Sequence, residues 1–246
     1  MPRYTVSDAL VLRRTPLPSG DVVVTLLSEH GKWRAVARKG RLPGGNLARL
    51  SLFHDVTVQA YRRRDEDLAV LTQVRLNGAL RGLSRPEAYP YAHLLAELAD
   101  ALTVDTHVGE RLVAVVASGL RGVGSHDDPE AVALAYAWHL LALAGLAPHL
   151  HGTATPTCAR CAAPATVLAS ASGTLRCVDH GDGPRDVWLG PEGASDLARA
   201  VNGPLRTAVA TPPADRARAW RALRAYVREH VGEVRALRSL LPAGDT

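Results

Sequence analysis

The 246-residue sequence predicts an α+β protein: a small closed β-barrel, then a helical domain interrupted by a cysteine-bearing insertion. Three observations carry this reading. Residues 1–80 are rich in β-branched side chains and alternate with period two. Beyond residue 80 apolar residues recur at helical spacing. All three cysteines fall between positions 158 and 177, inside that helical region.

In order along the chain, "VSDALVLRRT" and "DVVVTLLSEHGKWRAVARKG" read as strands, with Gly31 marking a turn. "SLFHDVTVQAYRRR" and "DLAVLTQVRL" alternate with period two around the turn "RRRDED". Four to five short strands within 80 residues favour a small closed barrel. Ser84, followed by Pro86 and Glu87, predicts a helix start, and Tyr91, Leu94, Leu95, Leu98 and Leu102 follow at helical spacing. "GERLVAVVASGL" is a second helix. "DPEAVALAYAWHLLALAGL" is a third, closed by Gly145 and Pro148. After the insertion, "ASDLARAVNG" resumes helix and ends at Gly203. Residues 213–241 predict one closing helix, its apolar stripe formed by Trp220, Leu223, Val227, Val231, Val234 and Leu241. That helix is expected to pack back on the central ones.

Hydrophobic residues make up 47% of the chain, enough for a sizeable core and against disorder. Of 29 basic residues 27 are arginine, in an alanine-rich chain, so arginine abundance alone carries little. The distribution of charge says more. Residues 1–79 hold 13 basic and 7 acidic side chains, residues 80–150 hold 4 and 8, and residues 151–246 hold 12 and 9. A basic first third beside an acidic middle points to a module that faces a polyanion. The opening "MPRYTVSDALVL" lacks the pattern of a signal peptide. The apolar stretch 131–147, with Trp138 and His139, reads as a buried core helix rather than a membrane span. The expectation is a cytoplasmic protein without a membrane partner and with reduced cysteines.

The insertion carries C-x2-C, fifteen residues, then C-x2-H: Cys158, Cys161, Cys177 and His180. Two short-bite pairs joined by a loop suit a tetrahedral ion, and three thiolates with one imidazole favour one structural Zn²⁺ per chain. The intervening residues read as strand–turn–strand, as in zinc ribbons. A disulfide is disfavoured by the odd cysteine count. Four protein ligands close the shell, whereas a catalytic zinc keeps a position open. Nucleobase deaminases pair P-C-x-x-C with H-x-E. Here Pro156 stands one residue too early, no histidine precedes a glutamate by two positions, and H-E-x-x-H is absent. Enzyme chemistry and catalytic residues are therefore not expected.

On the strand within "HGKWRAVARKGRLPGG", Lys32, Arg34, Val36 and Arg38 share one face, and Trp33, Ala35 and Ala37 share the other. Lys39 and Arg41 follow on a loop kept slim by Gly40, Gly44 and Gly45. Such a basic row suits a phosphate backbone, although a solvated strand face is the plainer reading. Trp33 is expected in the core. Tyr61 is the better candidate for base stacking. Arg13 and Arg14 could flank the same face. Arg62, Arg63 and Arg64 meet Asp65, Glu66 and Asp67 at once, so that hairpin tip largely neutralises itself. The arginines of the last helix (216, 218, 221, 224, 228, 235 and 238) read as a solvated face, with a second nucleic-acid surface as the alternative. His93, His149 and His151 read as ordinary, and "EAYPYAH" (87–93) as a docking edge.

With "ALVLRR", "GDVVVTLLSEHGKWRAVARKGR", "LFHDVTVQAY" and "LAVLTQVRL" in this order, the chain resembles the RecO family of DNA repair proteins. The match runs through Asp21, Gly31, Lys39, Gly40 and Arg41 and extends over essentially the whole chain. Two departures stand out: many zinc-bearing members use four cysteines where this chain has His180, and "LPSG" precedes Asp21. The resemblance implies an OB-fold at 1–80, a helical domain at 81–150 and 189–246, and a zinc insertion at 151–188. It implies a non-enzymatic recombination mediator of the RecF/RecO/RecR type. Such proteins bind single- and double-stranded DNA, anneal complementary strands, and work with RecR to load RecA on DNA coated by the single-strand-binding protein (SSB). They would be cytoplasmic and nucleoid-associated during repair. Phosphate contacts would fall to Lys32, Arg34, Arg38, Lys39 and Arg41. The alternative is an OB-fold RNA-binding protein with a structural zinc.

Overall fold

The computed structural model describes residues 3–38, 46–64, 68–103, 110–151, 155–181 and 183–240. Five strands form the N-terminal third: β1 (Arg3–Pro16), β2 (Val22–Ser28), β3 (Gly31–Ala37), β4 (Asp55–Arg62) and β5 (Ala69–Gly78). They close a barrel in the order β1-β2-β3-β5-β4. Every seam is antiparallel except β3–β5, where Ala35 lies beside Ala69 and Val36 beside Val70. This is the Greek-key order of an OB-fold. Alternation fills the interior: Val11, Val22, Val24, Leu26, Ala35, Ala37, Val56 and Val58 are all buried there. Trp33 packs against the same cluster, as its face of β3 predicts.

β2 is buried along its whole length. Its inner side chains fill the barrel, and Leu27 joins Leu10, Leu12 and Phe53 in the core shared with the helices. A strand covered on both sides reads as the continuous apolar run "VVVTLL".

Three helices follow: α1 (Tyr89–Leu102), α2 (Glu110–Ser125) and α3 (Pro129–Leu143). The predicted start at Ser84 is corrected. Ser84 ends a short 3-10 turn, Arg81–Ser84, and its hydroxyl donates to the Arg81 carbonyl at 2.8 Å. Pro86 holds Arg85 extended (φ −67°, ψ 134°), so helix begins only beyond it. α3 starts as read: the Asp128 carboxylate accepts from the Ala131 N–H at 3.0 Å, and Pro129 occupies the first turn. The helix is buried almost all round and ends at Gly145, whose φ is +76°. No described helix is long and apolar enough to cross a membrane.

The insertion forms a small sheet, β7-β6-β8, from β6 (Val167–Ala169), β7 (Thr174–Arg176) and β8 (Val187–Trp188). Leu168 and Leu175 are wholly buried in the helical core, so the ribbon is built into that core. α4 (Gly190–Asn202), α5 (Leu205–Ala210), α6 (Arg216–His230) and α7 (Arg235–Leu240) complete the chain.

The single closing helix of the sequence reading is two. Gly232 has φ +109°, a value that ends α6. The Glu97 carboxylate on α1 then accepts from the N–H groups of Arg235 and Ala236 (2.8 and 2.9 Å) and starts α7. Leu241 lies outside the described residues. α6 packs back as expected, burying Trp220, Leu223, Tyr226 and Val227. Its Arg216 grips both carboxylate oxygens of Asp128 and one of Glu130, while the Trp220 indole N–H donates to Glu130 at 2.7 Å. Tyr91 stacks on Trp220 at 5.9 Å.

Candidate metal centre and nucleic-acid surface

The ligand atoms of Cys158, Cys161, Cys177 and His180 all lie within 4.8 Å of one another. The Cys161 and Cys177 sulfurs are 3.6 Å apart. His180 Nδ1 is 3.2 Å from Cys177 Sγ and 3.6 Å from Cys158 Sγ. Metal–ligand bonds of about 2.0–2.3 Å at tetrahedral angles put ligand atoms roughly 3.3–3.8 Å apart, so the cluster has the right size for one ion.

Each pair sits on a tight turn. The Ala162 N–H returns to the Cys158 carbonyl (3.1 Å) with Ala162 at φ +60°, and the Arg160 N–H points at Cys158 Sγ (3.4 Å). The Cys177 carbonyl accepts from the N–H groups of His180 and Gly181 (3.1 and 3.0 Å). β7 links the turns, for its Leu175 carbonyl accepts from Ala159 N–H at 3.0 Å. Burial opposes ionisation of Cys158, but backbone N–H donors, Arg160 first, outweigh it and hold the thiol at about 5. A thiol so disposed is a ready ligand. The four residues can hold a metal ion, with every coordination position taken by protein.

The ribbon is fastened to α6. His230 Nε2 meets the Ser170 carbonyl at 2.7 Å, Arg185 pairs with Glu229 at 2.7 Å, and the Arg218 guanidinium lies 4.3 Å over the Trp188 ring. Arg216 and Arg218, two of the arginines read as one solvated face, are thus engaged inside the molecule. Arg228, Arg235 and Arg238 are exposed.

On the barrel, Arg34 is exposed on the outer face of β3, and Arg38 is exposed just past its end. Lys32 differs. Its ammonium donates to the Asp100 carbonyl at 2.7 Å and pairs with the Asp100 carboxylate at 3.0 Å, leaving its side chain 16% exposed. Arg13 reaches the same carboxylate at 3.5 Å. Arg13 and Arg14 line a groove of about 1000 Å³ between barrel and helices, with Tyr89, His93 and Arg235 on its other wall. Tyr61 faces outward from β4 against Tyr4 of β1, ring centroids 6.0 Å apart. Lys39 and Arg41 lie outside the described residues, as do Asp65, Glu66 and Asp67 of the hairpin tip.

His93 sits between the Phe53 and Tyr89 rings (5.1 and 4.5 Å), where burial lowers its pKa. His149 and His151 take part in backbone bridges, with Thr174 and Thr157. Of the docking edge 87–93, Tyr89 is 45% exposed, whereas Tyr91 is covered by Trp220. Asp100, Glu97 and Tyr4 escaped the sequence reading. Only the alternation of β1 could have flagged Tyr4, and its pairing with Tyr61 needs the strand register.

The model for the N-terminal part of recombination protein O matches residues 1–79, and that for its C-terminal part matches residues 83–240. The chain belongs to the recombination protein O family. A DNA repair protein RecO from Symbiobacterium thermophilum is 30% identical over 221 residues, covering 85% of this chain and 83% of the relative. One from Cutibacterium acnes is 36% identical over 177 residues, covering 67% and 68%. One from Roseiflexus sp. (strain RS-1) is 30% identical over 239 residues, covering 90% and 79%. RecO membership places the chain in DNA repair and recombination, as the order of motifs implied.

Proposed function

We propose that the chain is a non-enzymatic recombination mediator that binds single- and double-stranded DNA through its barrel. The observation that carries this is the pair Arg34 and Arg38, exposed on the outer face of an OB-fold in a RecO-family chain. Arg34 and Arg38, with Lys39 and Arg41 beyond them, meet phosphates; Arg13 and Arg14 extend the track, and Tyr61 stacks on a base. Lys32, tied to Asp100, positions the strand rather than touching DNA. Annealing needs strands held together while their repulsion is reduced, and basic side chains that displace counterions do this.

In this reading residues 1–80 bind DNA and residues 81–150 with 189–246 form the helical scaffold. RecR, SSB and, through them, RecA are the protein partners, and the site of action is the cytoplasm. The insertion 151–188 holds one structural Zn²⁺ on Cys158, Cys161, Cys177 and His180, a donor set that fits that ion best. The closed shell leaves it no substrate position.

The test is binding of a labelled single-stranded DNA across a salt series, wild type beside R34A/K39A/R41A. A steep salt dependence that flattens in the variant, with affinity about tenfold weaker or more, is expected. Unchanged binding by the folded variant overturns the assignment of the basic strand. Stronger competition by RNA of the same sequence favours an RNA ligand, since the 2′-hydroxyl separates the two.

A further inference from the structure

Four outward side chains stand in one row across the sheet. Tyr4 pairs with Tyr61, Tyr61 with Val70, and Val70 with Val36. Three of them have buried, inward-pointing neighbours: Ala60 beside Tyr61, Ala69 and Leu71 beside Val70, Ala35 and Ala37 beside Val36; Tyr4 is placed on the same face by its exposure and its ring contact with Tyr61. Arg34 and Arg38 flank Val36 along β3. The basic strand and the tyrosine pair therefore share one continuous surface. With neighbouring strands about 4.8 Å apart, the row spans roughly 14 Å.

The far end of the row is apolar and open. Tyr4 is 64% exposed and Val6, next along the same face, is 65% exposed. The chain has only six tyrosines, four tryptophans and one phenylalanine, yet two of these rings sit side by side at the surface. Folding alone gives no reason to leave Tyr4 uncovered. The neighbours on this face are neutral, Gln59 opposite Val6 and Gln73 opposite Gln59. Asp8, four residues along β1, is hydrogen-bonded to Thr57 and Asn77.

We infer that Tyr4 and Tyr61 form a two-ring stacking platform for the bases of a single strand whose phosphates run over Arg34 and Arg38. This rests on the nucleic-acid reading above and adds to it a residue, a path across the barrel and a preference. Bases stack on aromatic rings only when they are not stacked inside a duplex. The platform thus contributes to single-strand binding and leaves duplex binding to the arginines.

The experiment compares wild type, Y4L/Y61L, the single variant Y4L, and Y4F/Y61F. Each is measured by fluorescence polarisation with a labelled oligothymidine and with a duplex of equal length. Leucine keeps apolar bulk and removes the ring; phenylalanine keeps the ring. Melting temperatures check folding, and Y4L, which alters the more exposed ring, decides the matter if the double variant does not fold. Loss of base stacking should weaken oligothymidine binding by Y4L/Y61L about tenfold or more. Duplex affinity and the salt slope should stay as in wild type, since no charge changes. Y4F/Y61F should bind as wild type does. Equal losses on both ligands, or none on oligothymidine, overturn the platform while leaving the arginine track standing. Wild type that binds neither ligand overturns the nucleic-acid reading, and the platform with it.

Discussion

Lys32 on β3 donates to both the side chain and the main chain of Asp100 in α1, at 3.0 and 2.7 Å. It joins the barrel to the helices through a pair in which neither side chain is more than 18% exposed. Removing the Asp100 carboxylate leaves Lys32 in a poorly solvated place with only a main-chain carbonyl, whereas removing Lys32 leaves Asp100 its contact with Arg13 at 3.5 Å. D100A should lower stability by about 2 kcal/mol and K32A by about 1 kcal/mol. Their double variant should lose less than the sum, because the interaction can be lost only once. Urea denaturation of the four proteins of the cycle checks this. Additive losses would show that the pair is not coupled.

The Cys/His cluster predicts a structural signature if it holds the proposed zinc. H180A should bind metal poorly and melt at lower temperature, whereas H180C, which restores a four-thiolate set, should keep both. Metal content by elemental analysis beside calorimetry distinguishes the variants. Full metal content in H180A would remove the histidine from the ligand set.

Asp128 gives a prediction in acid. The hydrogen bonds from Arg216 hold its carboxyl at about 2, below the ordinary 3.8, although part-burial pulls the other way. A depressed carboxyl stabilises the fold above its unfolded pKa and loses that contribution as pH falls through the folded value. Wild type should therefore lose more melting temperature than D128N between about pH 4 and pH 2. At pH 7 D128N, which retains a capping side chain, should cost about 1 kcal/mol. Parallel acid dependence of the two proteins would mean that the pair does not contribute.

Gly82 predicts a steric effect without any change of charge. A Cβ built there would lie 1.8 Å from the Gly124 carbonyl oxygen of α2. That atom is backbone and cannot swing aside, so G82A should cost about 3 kcal/mol. Gly232 has open space around it and only its φ of +109° to protect it, so G232A should cost about 1–2 kcal/mol. The order of the two melting temperatures checks the assignment.

Patterns of period two and the cysteine spacing were legible because they are local. Alternation alone separated Trp33 from Arg34, and C-x2-C with C-x2-H named four residues whose donor atoms meet within 4.8 Å. α3 was legible because a helix apolar on all sides has few alternatives to burial. Relations between distant segments were not. Nothing near Lys32 in sequence announces Asp100, 68 residues away. The break after α6 was hidden by an apolar stripe that continues through it, and only the left-handed Gly232 separates two helices there. The start of α1 lies beyond Ser84 because Pro86 keeps Arg85 out of helical conformation. Tyr4 carries no motif; the strand register alone sets it beside Tyr61.

The place of the Cys/His ribbon between α3 and α4 bears on how the molecule is made. Leu168 and Leu175 are buried in one core with side chains of α1, α3 and α6. A nascent chain leaving the ribosome therefore carries three helices with an open apolar seam until the ribbon closes and the later helices arrive. With the proposed ion bound, closing of the ribbon is the step on which completion of the helical core would wait.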